Sequence, residues 1–185
     1  RLFSRSINET LDSQQILKTF CDLIERNLDC DMAYILVRDD KGDYQAKAST
    51  RPVSSDGITI RRDSPLIDWL QKDNLSVSYR EFTRTKHYIA MWESEKDTLR
   101  RNNIKLILPI AEGGNLLAIA LLADQDRSRS FPPNEITFLE SAGAIVSIAA
   151  KIGCTAETLR RWVRRHERDT GQREGLNTAD RDRLK

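Results

Sequence analysis

Cysteine is scarce in this chain, and the three present do not combine. Cys21, Cys30 and Cys154 are an odd number, with no C-x-x-C pair and no histidine cluster beside them. A disulfide framework and a zinc site are both disfavoured, and a reducing compartment fits better. No apolar run approaches the ~20 residues that a membrane-spanning helix needs, and no signal peptide is legible. Catalytic signatures are missing as well: there is no G-x-S-x-G, Walker loop, G-x-G-x-x-G or H-E-x-x-H. Gly113-Gly114 reads as a hairpin turn rather than a phosphate cradle. Asp39-Asp40 and Glu93 with Glu95 read as solvated turn and helix faces. The expectation is a non-enzymatic cytoplasmic protein with no cofactor, no metal and no membrane contact. Because it begins at Arg1 rather than Met, an upstream segment is expected to have been removed.

What is present is enough for one domain and a small appendage. The 185 residues are 39% hydrophobic and 31% charged, which suits a single packed core. The net charge of +2 conceals an asymmetry: residues 151 to 185 carry a balance of +4 and residues 1 to 150 one of −2. Only the tail has the electrostatic character that would attract a polyanion.

Periodicity divides the first 150 residues into elements. Asp12 to Gln15 resemble a capping box. Behind them Ile16, Leu17, Phe20, Leu23, Ile24 and Leu28 form a helical stripe that Leu2 to Leu11 could extend backwards. "MAYILVR" (32–38), the turn "DDKG" and "YQAKAS" (44–49) predict a hairpin. "GITI" (57–60) is a short strand. Ser64-Pro65 is an N-cap with proline at the first helical position, opening a helix through Lys72. "LSVSY" (75–79) alternates like a strand, and Glu81 to Asn102 is helical in composition. "IKLILPI" (104–110), the turn "EGGN" and "LLAIALLAD" (116–124) predict a second hairpin. Its second arm is apolar on both faces and should be a central, covered strand. Pro132-Pro133-Asn134 begins a last helix with Ile136, Leu139, Ala142, Ile145, Val146 and Ala149 on one side. The predicted class is α+β: an antiparallel sheet of about six strands, helices at both ends of the chain, and the helices segregated to one face.

Three stretches in this order resemble a GAF domain, the sensory module of bacterial signalling proteins, over roughly residues 5–150. They are "INETLDSQQILKTFCDLIERNLDCDMAYILVRDDKGDYQAKAS", "DSPLIDWLQKDN" and "IKLILPIAEGGNLLAIALLADQDRSRSFPPNEITFLESAGAIVSIA". The resemblance implies a signal-sensing domain. Such a domain binds a small molecule between the sheet and the segment crossing it, or serves as a dimerising relay with no ligand. It also implies a homodimer through the terminal helices. The crossing segment here is about 58–92, and Trp69, Tyr79, His87, Tyr88 and Trp92 are the candidate pocket residues. Rings with polar tips suit a planar ligand, whereas a closed core filled by these aromatics would favour the scaffold.

Specialised members of the family leave marks that are missing. The Asn-Lys…Phe…Asp-Glu signature of cyclic-nucleotide binders is not present. The crossing-region cysteine of bilin binders has no counterpart between residues 31 and 153. Cys21 and Cys30 read as buried small apolar residues rather than the catalytic thiols of methionine-sulfoxide reductases. His87 alone reads as structural rather than as a haem ligand.

The tail, 151–185, has its own character. In "AAKIGCTAETLRRWVRRHERD" (149–169), Ala149 is small enough for a helix crossing and Gly153 can make the turn. Ile148, Ile152, Cys154, Leu159 and Trp162 are apolar where a helix-turn-helix packs. Thr155 would cap the second helix. Thr155, Glu157, Thr158, Arg160, Arg161, Arg164 and Arg165 then occupy the positions that approach DNA. With "GLNTAD" following, residues 149–185 resemble the small DNA-binding protein of a class of insertion-sequence transposases. That resemblance implies binding at transposon ends, through a helix-turn-helix at 145–168. The motif normally brings its own upstream helix. Here Ile145 to Ile152 would have to serve both modules, and the zipper-like helix ends at Lys185. These departures favour a transposase-derived remnant on a sensory domain over a working DNA reader.

Overall fold

The computed structural model describes residues 2–52 and 57–152, together with Arg161, Arg164, Arg165 and Arg168. Side chains are described for 13–52, 57–147 and those four arginines. The first helix, α1, spans Leu2–Asn27. Asp12 and Ser13 lie inside it, so the backward extension forms and the capping-box sequence does not start the helix. Each such polar residue in a helix interior costs at most about 0.7 kcal/mol, which the packed stripe behind it outweighs.

Strands β1 (Met32–Arg38) and β2 (Tyr44–Ser49) form the predicted hairpin. The turn is held by Asp39, whose Oδ1 accepts the amides of Lys41 and Asp43 at 2.9 Å each. Gly42 supplies the left-handed residue at φ +91°. Strand β3 is Thr59–Ile60, and α2 is Pro65–Asp73 with Ser64 as its N-cap and proline in the first turn. Asn74, at φ 46°, closes it.

Beyond α2 the structure departs from the expected pattern. The alternating strand is only Val77–Ser78 (β4), and the single helical stretch is three short helices: α3 (Tyr79–Phe82), α4 (Lys86–Ala90) and α5 (Glu93–Arg101). Side-chain caps explain part of this. Ser78 Oγ accepts the Glu81 amide and starts α3 at the end of the expected strand. Thr85 Oγ1 accepts that of Tyr88 and starts α4 where the composition suggested continuity; α5 begins after Trp92 without a side-chain cap.

Strands β5 (Ile104–Glu112) and β6 (Asn115–Ala123) turn at Gly113-Gly114, both with positive φ. Helix α6 runs from Pro133 to Ile152. The six strands are ordered β3-β2-β1-β6-β5-β4, and every described pairing is antiparallel. This is the α+β fold expected, with β6 central and covered. The helices do not keep to one face, however. α1 and α6 bury Phe20, Ile24, Phe138 and Leu139 against Ile35, Leu108, Ala120 and Leu122. On the opposite face α2, α3 and α5 bring Leu66, Leu70, Phe82 and Leu99 over Leu36, Ile107, Ile119 and Leu121. Successive residues of β6 point to opposite faces, so a strand apolar at every position calls for cover on both.

Candidate functional site

The crossing elements place four of the five predicted pocket aromatics together. Trp69, from α2, stacks on Phe82 with centroids 5.0 Å apart and on His87 at 6.3 Å. Tyr88 meets Phe82 and Tyr79 edge-on, at 5.7 and 6.0 Å. The two tyrosine hydroxyls lie 3.1 Å apart, and burial, helped by that bond, pushes the Tyr79 phenol well above its ordinary range. His87 Nε2 is 3.8 Å from Asp68 Oδ2, and Lys96 Nζ sits 5.4 Å from the centre of the Tyr88 ring. Trp92 stands apart, 48% exposed beneath the Arg61 guanidinium.

The two tyrosine hydroxyls are therefore spent on one another, and His87 faces Asp68. Beneath them the layer between helices and sheet is occupied by side chains of this chain, with Ile60, Leu66, Phe82, Leu99, Ile107 and Ile119 wholly buried. Tyr44 adds a buried hydroxyl, donated to the Leu116 carbonyl at 2.9 Å.

One residue of this layer was misread from sequence. Glu95 is not on a solvated helix face: it is 3% exposed. Its Oε1 accepts the Arg61 amide at 2.9 Å and its Oε2 accepts the Ser64 hydroxyl at 2.7 Å. It thus ties α5 to the entry of α2. Spacing could have flagged it, because Glu95 lies four residues before the buried Leu99 and so shares its side of the helix.

The two described thiols are unsuited to nucleophilic work. Burial, aided by Asp22 and Glu25, pushes Cys21 up to about 12. Burial also raises Cys30 to about 11, partly opposed by Arg129. Among the described residues no three His, Cys, Asp or Glu side chains converge as a metal site, and no helix is long and apolar enough to cross a membrane.

Of the predicted DNA-facing set, Arg161, Arg164 and Arg165 are helical and exposed. Arg168 is helical and half-buried. Thr155, Glu157, Thr158 and Arg160 lie outside the described residues.

The GAF domain family model matches residues 10–150. The chain belongs to the GAF domain family. A crystal structure of the GAF domain/HD domain protein from Geobacter sulfurreducens superposes with a TM-score of 0.62 at 13% identity, covering 76% of this chain and 93% of that one. The blue-light absorbing form of the Thermosynechococcus elongatus PixJ GAF domain gives 0.58 at 16%, covering 77% and 86%. A type II free methionine-R-sulfoxide reductase from Thermoplasma acidophilum gives 0.54 at 15%, covering 77% and 94%. At such identities these GAF structures share the fold alone.

A different relative is matched by sequence. Over 42 residues, 22% of this chain, it is 69% identical to the "Insertion element IS629 uncharacterized 12 kDa protein" of Shigella sonnei and to its Shigella flexneri counterpart. The match spans 39% of the length of those curated relatives. It accords with the insertion-element likeness of residues 149–185.

Proposed function

We propose that this GAF domain is a non-enzymatic relay in signal transduction, acting as a homodimer through α1 and α6 with no small molecule held beneath its crossing helices. The observation that carries the reading is the filled layer: where a ligand would lie between sheet and crossing helices, Phe82, Leu66, Leu99 and Ile107 already lie, capped by the Trp69–His87 stack. Displacing that much buried apolar surface would forfeit several kcal/mol, at roughly 1.5–3 kcal/mol per large side chain.

The terminal helices support the second half of the reading. At 1.5 Å per residue the 26-residue α1 is about 39 Å long. The nine-residue strands span about 30 Å, so α1 is longer than the sheet it covers. Long helices at the two ends of a domain suit transmission by changes in helix packing.

The test is sedimentation equilibrium of the full chain beside Ala144→Glu, an exposed position of α6 where a charge leaves the fold intact. The relay reading expects a dimer that the substitution weakens. A chain monomeric at tens of micromolar would end it.

The IS629 likeness favours a second reading, in which the arginines of the tail contact phosphate. We prefer the tail as a remnant of an insertion element, since α6 packs Ile145 and Val146 against the domain core. A helix committed there is poorly free to serve a second module.

A further inference from the structure

At the β4–β5 edge of the sheet a cleft of about 640 Å³ opens between α3, the start of β5 and the loop leading into α6. Its size falls within the ~300–1,000 Å³ typical of small-molecule sites. Four cationic side chains line it, Arg80, Lys105, Arg127 and Arg129, against one acid, Glu81. Glu81 already accepts the Ser78 hydroxyl at 2.7 Å. Among the described residues no ion pair engages Arg80, Lys105 or Arg127.

Arg129 is the fixed member. Its guanidinium lies 4.6 Å over the Phe131 ring, and Nη2 is held 2.9 Å from Glu135 Oε2. Its Nε is buried without a hydrogen-bond partner and forms a long ion pair with Asp124 Oδ2 at 3.9 Å. Glu135 and Asp124 thus meet the charge of Arg129, and the cations left to an occupant are Arg80, Lys105 and Arg127. Leu106, Phe131 and Ile136 add an apolar wall beside the charges.

We propose that this cleft binds a phosphomonoester carried on a flat apolar body. Arg129 is paired with Glu135, and the remaining three cations, Arg80, Lys105 and Arg127, against one engaged acid favour a dianion over a monocarboxylate, while the apolar wall favours an organic ester over the bare ion. The loop Arg127–Ser130 runs directly into Pro133, where α6 begins. An occupant would therefore bear on the helix assigned above as the relay. That regulatory consequence rests on the relay reading; the binding does not.

The experiment is calorimetric titration of the full chain with 2-naphthyl phosphate, in parallel with 2-naphthol, 2-naphthoate and inorganic phosphate. We expect the ester to bind more tightly than all three. Lys105→Glu with Arg127→Glu should weaken it by about tenfold or more, one charge-assisted contact being worth that much. Arg38→Glu with Lys47→Glu, a charge reversal of equal size on the β1–β2 hairpin, should leave affinity within about twofold. Amide shifts induced by the ester should centre on Lys105, Ser128 and Ser130. The proposal is overturned if 2-naphthol binds as tightly, if the two reversals act alike, or if no ester binding is seen at millimolar concentration. Sedimentation of the same samples reads the dimer separately, so failure of the relay reading would be distinguishable from failure of the site.

Discussion

Glu95 holds a carboxylate out of water with a donor on each oxygen, joining three elements at one side chain. Glu95→Ala would leave the Arg61 amide and the Ser64 hydroxyl unmet, and a urea titration should show a loss of about 2–3 kcal/mol. Glu95→Gln keeps one accepting oxygen and should recover part of it. The thiols make a second case at this scale. A thiol that titrates at 9.0 when free and at about 12 in Cys21 keeps its proton where the unfolded chain has lost it. That contribution to stability is whole below pH 9 and is lost as pH rises through about 12. Correspondingly, Cys21 and Cys30 of the native chain should resist a thiol-directed disulfide reagent at pH 7.5, read by mapping the modified peptides. Fast labelling of Cys21 would contradict its burial. From sequence Cys21 was legible, because a small residue on an apolar helical face belongs in the core; Cys30, just before β1, was expected buried and is half-buried. Glu95 was not legible, since its partners lie 31 and 34 residues away.

Elements announced by local chemistry were read correctly. Ser64-Pro65 opens α2, Gly113-Gly114 turns β5 into β6, and an unbroken apolar run marks β6 as central. The crossing region was read too simply, because Ser78 and Thr85 look like ordinary polar residues until their hydroxyls are seen capping α3 and α4. The predicted aromatic set shows the same divide. Packing of α2, α3 and α4 brings Trp69, Tyr79, His87 and Tyr88 together, but Phe82, the ring that Trp69 and Tyr88 share, was left out of the set. Phe82 is wholly buried, and Phe82→Ala should cost about 3–5 kcal/mol by chemical denaturation. A cost below 1 kcal/mol would show that the layer collapses easily and is not the rigid filling described here.

For the molecule as a whole, the GAF order of helix, hairpin, crossing segment, hairpin and helix was present in the sequence. The covering of both sheet faces was not inferred, although the two-sided apolar β6 required it. The tail separates the two histories by electrostatics. If it is a remnant, the full chain should not retard insertion-end duplex DNA at about 150 mM salt, where few phosphate contacts bind weakly. A shift abolished by alanine at Arg160, Arg161, Arg164 and Arg165 would instead restore the DNA-reading alternative. The central claim is that this GAF domain works by pairing rather than by holding a ligand under its crossing helices. Native mass spectrometry of the full chain tests it most directly. The account predicts a species at twice the chain mass; a single-chain species retaining a small organic molecule would contradict it.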